Sequence, residues 1–470
     1  MKNALLPAAT LSLFLTSCAS SPASTSSSGS NGSAGPSDPR LAHASREDKS
    51  GWIILHLQGS PADIGYQHGW LAAQEIDDAV SMFRQYVPTA TQHDWEFFRR
   101  TGKEIFWPKL DASERAEIAG IAEGARARRK TVDTDDVVAV NGWIEIAMYY
   151  LPTIESTPSA APGNCSAFIA TGSYTRDGGI VMAHSAWIDY AVGERWNLVL
   201  DITPDHGHRM FMDSFPGFID SGDDFALNDA GVMVTETTIT QFKGFDRAGT
   251  PEFARARRAV QRAGTIDEWA AIMREGNNGA YANSWLVGDQ KTGEIARFEL
   301  GLKNQPLERT RDGYFAGSNF PCDAKLRAEE TDFDPSDANS SPNVRRKRWD
   351  ELMREWKGKI DVESAKQFLS DHVDARDGAN TASGRTLCGH FELDAAGAPH
   401  WEWPAFYPGG ATQAKATDSK LAAKLSFWGC TGHPCGRGFE SKPFLAAHAD
   451  FAWQAPFLRD MPSGGWTLLR

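Results

Sequence analysis

The chain has 470 residues, of which 41% are hydrophobic and 11% aromatic, so it is long and apolar enough to form a large folded core. It carries 48 basic and 61 acidic side chains, which gives a formal net charge of −13. Nucleic-acid binding requires clustered Lys and Arg, so this composition argues against a nucleic-acid partner. The 16 Trp residues indicate either a rigid aromatic interior or a pocket for apolar groups.

The first residues resemble a bacterial lipoprotein signal. Lys2 precedes an apolar run, 4–15, that is too short to span a bilayer, and Leu-Thr-Ser then leads into Cys18. This lipobox-like pattern implies removal of residues 1–17, lipidation of Cys18 and a membrane anchor. A plain secretory signal with cleavage near Ala19 is the alternative. We expect a cell-envelope lipoprotein, on the periplasmic or surface side of the outer membrane if the host has two membranes.

Residues 18–50 begin with a long Ser/Gly/Pro-rich stretch and predict a flexible tether, so the fold is expected to begin near Gly51. Residues 151–164 contain three Pro and a Gly and predict an exposed, cleavable loop. The elements predicted between these segments are a strand over 52–57 and helices that begin at 60 and span 113–130 and 134–150.

The rest of the chain is rich in predicted strands. Asp177-Gly178-Gly179 is a hairpin signal between the first two of them. Helices followed by strands and then helices predict a layered α+β protein with antiparallel sheets. The predicted strands cover 165–170, 180–184, 197–202, 209–215, 231–239, 284–288 and 295–300, and the predicted helices cover 251–262, 266–275, 344–356 and 362–372.

Four cysteines are candidates for disulfides, which an exported protein favours: Cys322, Cys388, Cys430 and Cys435. Three pairings are possible, and we expect Cys430 with Cys435 across a short loop and Cys322 with Cys388 as the remainder. The alternative is a zinc knuckle made by Cys430, His433 and Cys435, but the neighbouring sequence lacks a second ligand pair. We therefore assign no metal.

Cys165 is the first residue of a predicted strand, directly after the predicted cleavable loop. If the bond between Asn164 and Cys165 breaks, one residue gains a thiol nucleophile and an α-amine whose pKa, about 7.7 to 8.0, suits a general base. The same position also fits a buried strand cysteine that acts only as a small hydrophobic residue. The spacing alone leaves both interpretations open.

Six separated motifs keep one order over about 220 residues, and weaker similarity at Arg345-Arg346 and Trp428-Gly429 extends towards the C-terminus. The motifs are 65–69 (GYQHG), 165–167 (CSA), 183–190 (AHSAWIDY), 215–218 (FPGF) running into 221–225 (SGDDF), 235–239 (TETTI) and 279–285 (GAYANSW). Together they resemble the phospholipase B-like family and its relatives, the self-cleaving acyltransferases typified by penicillin acyl-transferase. The chain departs from that pattern at Ser185, where Asn or Thr is common, and at Asn164, where penicillin acyl-transferase relatives have Gly.

The resemblance implies a four-layer αββα sandwich with helical decorations, made as a precursor that cuts itself before Cys165. Residues 51–164 would form the α-chain and 165–470 the β-chain, which stay associated. Cys165 would attack a carbonyl while its own amine takes and returns the proton, and water would hydrolyse the thioester. This mechanism requires no cofactor.

Two further residues are catalytic candidates. His184 lies on the predicted hairpin partner of the nucleophile strand, so it would orient the thiol or, if protonated, lower its pKa. A structural histidine hydrogen-bonded to backbone is the alternative. Asn283 is the candidate oxyanion donor, because a side-chain amide N–H can stabilise the developing negative oxygen.

The candidate substrate-binding residues are less distinctive. Trp187 and Trp285 fit the walls of a pocket and fit a core equally well. Thr237 and Glu236 are both candidates to line the site, but strand alternation places them on opposite faces. Asn228 is a further candidate, although a turn asparagine that satisfies its own backbone explains its position too.

These observations predict an autoprocessed cysteine hydrolase that cleaves a linear amide, either an N-acyl compound or a small peptide-like substrate, with acyl transfer as a possible activity of the same site. One alternative is a phospholipase B-type hydrolase that releases fatty acids from phospholipids. Another is a non-catalytic, ligand-binding surface lipoprotein, which would keep the 164–165 bond intact.

Overall fold

The structure is a computed structural model that describes residues 38–155, 165–222 and 225–470. The predicted signal peptide 1–17, the lipidation site Cys18 and the cleavage residue Asn164 lie outside the described residues. Residues 39–470 form one unit.

Strands and helices alternate in blocks along this unit. The strands are β1 (Ser45–Lys49), β2 (Trp52–Gly59), β3 (Cys165–Thr171), β4 (Val181–Asp189), β5 (Leu198–Pro204), β6 (Met210–Ser214), β7 (Ala226–Asn228), β8 (Val232–Thr238), β9 (Asn283–Asp289), β10 (Glu294–Glu299), β11 (Leu307–Thr310), β12 (Gly313–Gly317), β13 (Gly409–Asp418), β14 (Phe427–Thr431) and β15 (Thr467–Leu469). The helices are α1 (Pro61–Leu71), α2 (Ala73–Thr91), α3 (Trp95–Thr101), α4 (Ala112–Ala127), α5 (Thr134–Asn141), α6 (Trp143–Glu145), α7 (Leu151–Glu155), α8 (Tyr190–Gly193), α9 (Glu252–Arg262), α10 (Ile266–Arg274), α11 (Ala324–Glu330), α12 (Ser341–Glu355), α13 (Val362–Leu369), α14 (Ser419–Ala422) and α15 (Ser441–Ala447).

The strands form two sheets in the part of the chain that the structure describes. The first has nine strands in the order β1-β2-β5-β6-β7-β8-β9-β10-β11, and the second has six in the order β12-β3-β4-β13-β14-β15. Neighbouring strands run antiparallel except for β2 and β5, which are parallel. The predicted hairpin is present, because β3 and β4 pair antiparallel with Ala167 opposite His184.

Three apolar layers hold the two sheets and the helices together. Alternate residues of both sheets pack face to face, among them Ile54, Ile169, Met182, Phe211, Leu286 and Phe427. On the outer face of the nine-stranded sheet the core includes side chains of α1, α2, α4, α5, α9 and α10, and on the outer face of the six-stranded sheet it includes those of α12 and α13. The predicted four-layer αββα sandwich is therefore confirmed.

The first motif, 65–69, is explained by helix packing. Ser60 caps α1 by accepting a hydrogen bond from the Asp63 amide, and Pro61 occupies the first helical turn. Gly65 and Gly69 face α4, where an added Cβ would overlap the backbone carbonyls of two α4 residues. Glycine at these positions lets the backbones of α1 and α4 touch.

Two predicted boundaries are wrong. Residues 45–49 form the edge strand β1, paired antiparallel with β2, so the folded unit begins before Gly51 and the tether predicted over 18–50 ends earlier. The strand has the sequence Ser-Arg-Glu-Asp-Lys. Charged side chains are common on edge strands, which have solvent beside them, so this strand shows no hydrophobic pattern that would reveal it in the sequence. The loop predicted over 151–164 begins with α7, and residues 156–164 lie outside the described residues.

The helix predicted over 134–150 is interrupted at Gly142. The segment 143–155 is bent by 62° from α5. No single helix of the described residues is long and apolar enough to cross a membrane, although these two segments pass that test together by length and composition. Most side chains of α5 are buried within the fold.

Candidate active site

Cys165 begins β3 and points between the two sheets. The alternation that places Ala167 and Ile169 in the inter-sheet core places Cys165 on the same face of β3. His184 lies on the corresponding face of β4, since Met182 of that strand also belongs to the inter-sheet core. Strand pairing therefore brings the predicted nucleophile and the predicted histidine together.

A carboxylate completes this group. The thiol of Cys165 lies 3.6 Å from Oε1 of Glu236, a fully buried residue of β8 in the facing sheet. One polar atom each from Cys165, His184 and Glu236 lie within 4.8 Å of one another. The arrangement of thiol, imidazole and carboxylate is suited to moving a proton from sulfur.

The backbone of Cys165 is held by two buried polar side chains. Its amide N lies 3.3 Å from Oδ1 of Asn319, and its carbonyl oxygen accepts a hydrogen bond from Arg345 of α12. Arg345 also donates to Oδ1 of Asn319 at 2.8 Å and to Oγ of Ser166 at 3.1 Å. Asn319 donates in turn to the carbonyl oxygen of Thr238 at 2.9 Å. These contacts fix both peptide groups of the predicted nucleophile.

Arg345 is an unusual buried cation. It is fully buried, and burial lowers the pKa of its guanidinium to about 9. Within the described ranges it has no carboxylate partner, and its guanidinium carbon lies 4.2 Å from the ring centroid of Trp187. Trp187 occupies the face of β4 opposite to His184, so it supports Arg345 rather than lining the space beside the thiol.

His184 is neutral at physiological pH. Burial, together with the positive charge of Lys415 directly opposite on β13, holds the pKa of its imidazole well below the ordinary value. The expected lowering of the thiol pKa by a protonated imidazole is therefore not supported. Neither ring nitrogen of His184 has a hydrogen-bond partner among the residues that the structure describes.

Lys415 forms a buried ion pair with Asp213 of β6, with 2.8 Å between Nζ and Oδ2. Both side chains are 0% exposed, and both point between the sheets. Asp213 also accepts a hydrogen bond from Ser221 at 2.8 Å. This end of the inter-sheet space is thus polar, in contrast to the apolar remainder.

Asn283, the predicted oxyanion donor, begins β9 directly opposite Thr238 of β8. It is fully buried, and its side-chain amide makes no hydrogen bond to any described residue. The neighbouring pair on these strands is Thr237 with Ser284, and the Thr237 hydroxyl likewise has no partner within the described ranges. The roles of both side chains stay predictions.

Trp285 and Asn228 lie elsewhere. Trp285 belongs to the core on the helical side of the nine-stranded sheet and packs against Trp269 of α10 at 5.5 Å. The Asn228 amide donates to the carbonyl oxygens of Val260 and Ala263 at the end of α9, and its Oδ1 accepts from the Val232 amide. These contacts match the structural interpretation of Asn228.

The predicted disulfide pairings are not formed in this structure. The thiols of Cys322, Cys388, Cys430 and Cys435 are free. Cys430 lies near Ser463, at 3.8 Å between Sγ and Oγ, whereas the loop after β14 carries Cys435 to within 3.6 Å of Nε2 of His390. The short spacing between Cys430 and Cys435 did not predict that the loop after β14 separates their thiols.

The thiol of Cys165 is not open to solvent. The residue is 2% exposed. Cys165 does not line any of three cavities of about 510, 260 and 170 Å³ among the described residues. The largest of the three lies beside Asn228.

Comparison with known proteins agrees with the motifs. Residues 72–301 match the family model "Phospholipase B". Human phospholipase B-like 1 is 26% identical over 289 residues, which is 52% of each chain. Phospholipase B of Crotalus adamanteus is 25% identical over 461 residues, which is 83% of this chain and 81% of the relative. The predicted resemblance to the phospholipase B-like family is confirmed.

The chain spans about half the length of several curated relatives that it matches. Among solved structures, a mutant of the conjugated bile acid hydrolase from Clostridium perfringens superposes on 57% of this chain and 89% of that chain, with a TM-score of 0.31 and 9% identity. The assignment of the fold rests on the two sheets and their helical layers.

Proposed function

We propose that the chain is the precursor of a cysteine hydrolase of the N-terminal nucleophile type, which exposes Cys165 by cutting the bond before it and then cleaves a linear amide. The observation that carries this proposal is the environment of Cys165. It is the first residue of a sandwich strand, its backbone is held on both sides, and its thiol lies beside a neutral imidazole and a carboxylate.

Self-cleavage is proposed to begin at the thiol. Sγ of Cys165 attacks the carbonyl carbon of Asn164, the carbon–nitrogen bond breaks, and the thiol proton passes to the departing nitrogen. Water then hydrolyses the thioester, which leaves a carboxylate on Asn164 and a free α-amine on Cys165. Asn319 and Arg345 hold the attacking residue in place, and Oδ1 of Asn319 remains within reach of the new amine.

Turnover of substrate is proposed to use the same atoms. The α-amine removes the thiol proton and the sulfur attacks the substrate carbonyl, which forms a thioester and releases the amine product with that proton. Water completes the cycle and restores the thiol. Asn283 is our candidate for stabilising the oxyanion, since its buried amide has no hydrogen-bond partner in the described residues.

An ester substrate is the second candidate. The "Phospholipase B" family model and the names of the relatives favour a phospholipase that releases fatty acids. The chemistry at Cys165 is the same for both substrates, because the thioester forms whether the leaving group is an amine or an alcohol. We also propose that the lipidated Cys18 holds the enzyme at a cell-envelope membrane, where both kinds of substrate occur.

The test compares the chain from residue 19 onwards with its Cys165→Ala variant and with Cys322→Ser as the matched control. Release of fatty acid or amine from N-acyl amides and from phosphatidylcholine vesicles is measured by mass spectrometry. We expect hydrolysis by the unmodified chain and by the control, with amides turned over faster, and none by Cys165→Ala. Full activity of Cys165→Ala would contradict the proposal, and hydrolysis of phospholipid alone would favour the second candidate.

A further inference from the structure

Four potential metal ligands meet outside the site described above. His372 follows α13, Cys388 and His390 precede β13, and Cys435 follows β14. One ligand atom from each of them lies within 4.8 Å of all the others. The sequence near Cys435 holds no second ligand pair, and the fold supplies one from Cys388 and His390.

The separations between these ligand atoms fit a tetrahedral zinc site. Zinc bonds of about 2.3 Å to sulfur and about 2.0 Å to nitrogen place neighbouring sulfur and nitrogen ligands about 3.5 Å apart in a tetrahedral site. Nε2 of His390 lies 3.3 Å from Sγ of Cys388 and 3.6 Å from Sγ of Cys435. Two thiolates and two imidazoles form a donor set that selects zinc over harder cations such as Mg²⁺ and Ca²⁺.

The surroundings of His390 are also those of a metal ligand. Its Nδ1 lies 2.8 Å from Oε1 of Glu392, which orients Nε2 towards the two thiols. Glu392 also accepts a hydrogen bond from the Tyr190 hydroxyl at 2.5 Å. The ring of His433 stacks on that of His390 with 4.1 Å between centroids. His390 is 0% exposed, so its orientation is fixed by packing.

We propose that His372, Cys388, His390 and Cys435 bind one Zn²⁺ ion in a closed structural site. Binding forms four bonds to the metal, and the two thiols release their protons as they become thiolates. The site joins three loops of the β-chain. Cys388 belongs to the same buried cluster as Trp187, so the metal would fix the loops that pack behind Trp187 and thereby support Arg345.

The experiment measures metal in the chain from residue 19 onwards, purified with a reductant and without chelator. We expect inductively coupled plasma mass spectrometry to find about one zinc ion per chain. After exchange for Co²⁺, we expect visible absorption bands of tetrahedral cobalt and a sulfur-to-cobalt charge-transfer band in the near ultraviolet. Failure of the reduced, folded chain to bind either metal would overturn the proposal.

Variants locate the site. Cys388→Ser and His372→Gln should each weaken zinc retention at least tenfold against a competing chelator and change the cobalt spectrum. Cys430→Ser is the matched control, because its thiol lies near the cluster but faces Ser463, and it should leave both readouts unchanged. Unchanged cobalt spectra in both ligand variants, or a Cys388–Cys435 disulfide that persists after mild reduction and excludes metal, would contradict the proposal.

Discussion

Replacement of Lys415 by Met isolates the buried charge that faces the predicted active site. Lys415 and Asp213 are 2.8 Å apart and 0% exposed, so their attraction is about 6 kcal/mol at an effective dielectric constant of about 20. Breaking such a pair from one side leaves a buried charge without its partner, which costs about 3–5 kcal/mol. We expect Lys415→Met to lower the free energy of unfolding by this amount at pH 7.

The loss should shrink as the pH falls. Burial raises the pKa of Asp213 in the folded chain, and Lys415 is the first of the groups that oppose this rise. Without Lys415 the folded-state pKa lies still further above the unfolded value of about 3.9. As the pH falls through the folded-state pKa, the folded variant binds a proton that the unfolded chain does not, so the variant recovers stability relative to the parent.

Urea unfolding at pH 7 and pH 5 measures both effects. Every variant is made in a Cys165→Ala background, so that the same uncut chain is compared. Adding Asp213→Asn to Lys415→Met removes the second charge and should recover about 2 kcal/mol. The reasoning would be refuted if the effects of Lys415→Met and Asp213→Asn on the free energy of unfolding added within about 0.5 kcal/mol in the double variant. A loss of stability in Lys415→Met that did not change with pH would refute it too.

Three further results are expected. Asn319→Ala should slow cleavage before Cys165 by about 10- to 100-fold in a gel time course, because the bond that holds the Cys165 amide, worth about 1–3 kcal/mol, is lost together with the contacts of Asn319 to Arg345 and Thr238. An unchanged rate would contradict the positioning role of Asn319. His184→Gln should reduce kcat/KM at least about 100-fold without removing an inflection near the ordinary imidazole pKa of about 6.5, because burial and Lys415 hold the pKa of His184 well below its ordinary value. Loss of an inflection at that pH in the variant would show that His184 titrates there. Gly65→Ala should lower the free energy of unfolding by about 3 kcal/mol, because the added Cβ overlaps the backbone of α4. Gly438→Ala is the control and should change the free energy of unfolding by less than about 1 kcal/mol, because the nearest atom to its added Cβ is 3.8 Å away. Equal effects of the two variants in urea unfolding would contradict the close packing of α1 on α4.

The sequence predicted those parts of the fold that depend on local patterns. The turn signal at Asp177-Gly178-Gly179 predicted the β3–β4 hairpin, and from it the meeting of Cys165 with His184 follows. The motif at 65–69 was recognisable in the sequence too, but the structural role of its residues was not. Its glycines serve helix packing, and Nε2 of His68 accepts a hydrogen bond from the Gly217 amide, which ties this motif to the one at 215–218.

The central strand β13 had no readable pattern. Its sequence, GGATQAKATD, is small or polar at nearly every position. One face packs on the helical layer through Ala414 and Ala416, and the other carries Lys415 to the polar end of the inter-sheet space. A strand without bulky apolar residues cannot be recognised from hydrophobic alternation.

Long-range contacts account for the other missed residues. Asn319 and Arg345 lie 154 and 180 positions after Cys165, and no local spacing connects them to it. Arg345 was visible only as part of a weak motif. The meeting of Cys435 with His372, Cys388 and His390 likewise depends on the packing of three separate loops.

Intact-mass analysis and N-terminal sequencing of the purified chain, beside its Cys165→Ala variant, test the central claim most directly. Our account predicts two associated fragments in the unmodified chain, the second beginning at Cys165, and one uncut chain in the variant. A folded, unmodified chain that remains whole would contradict self-activation at Cys165 and would favour a surface protein that only binds its ligand.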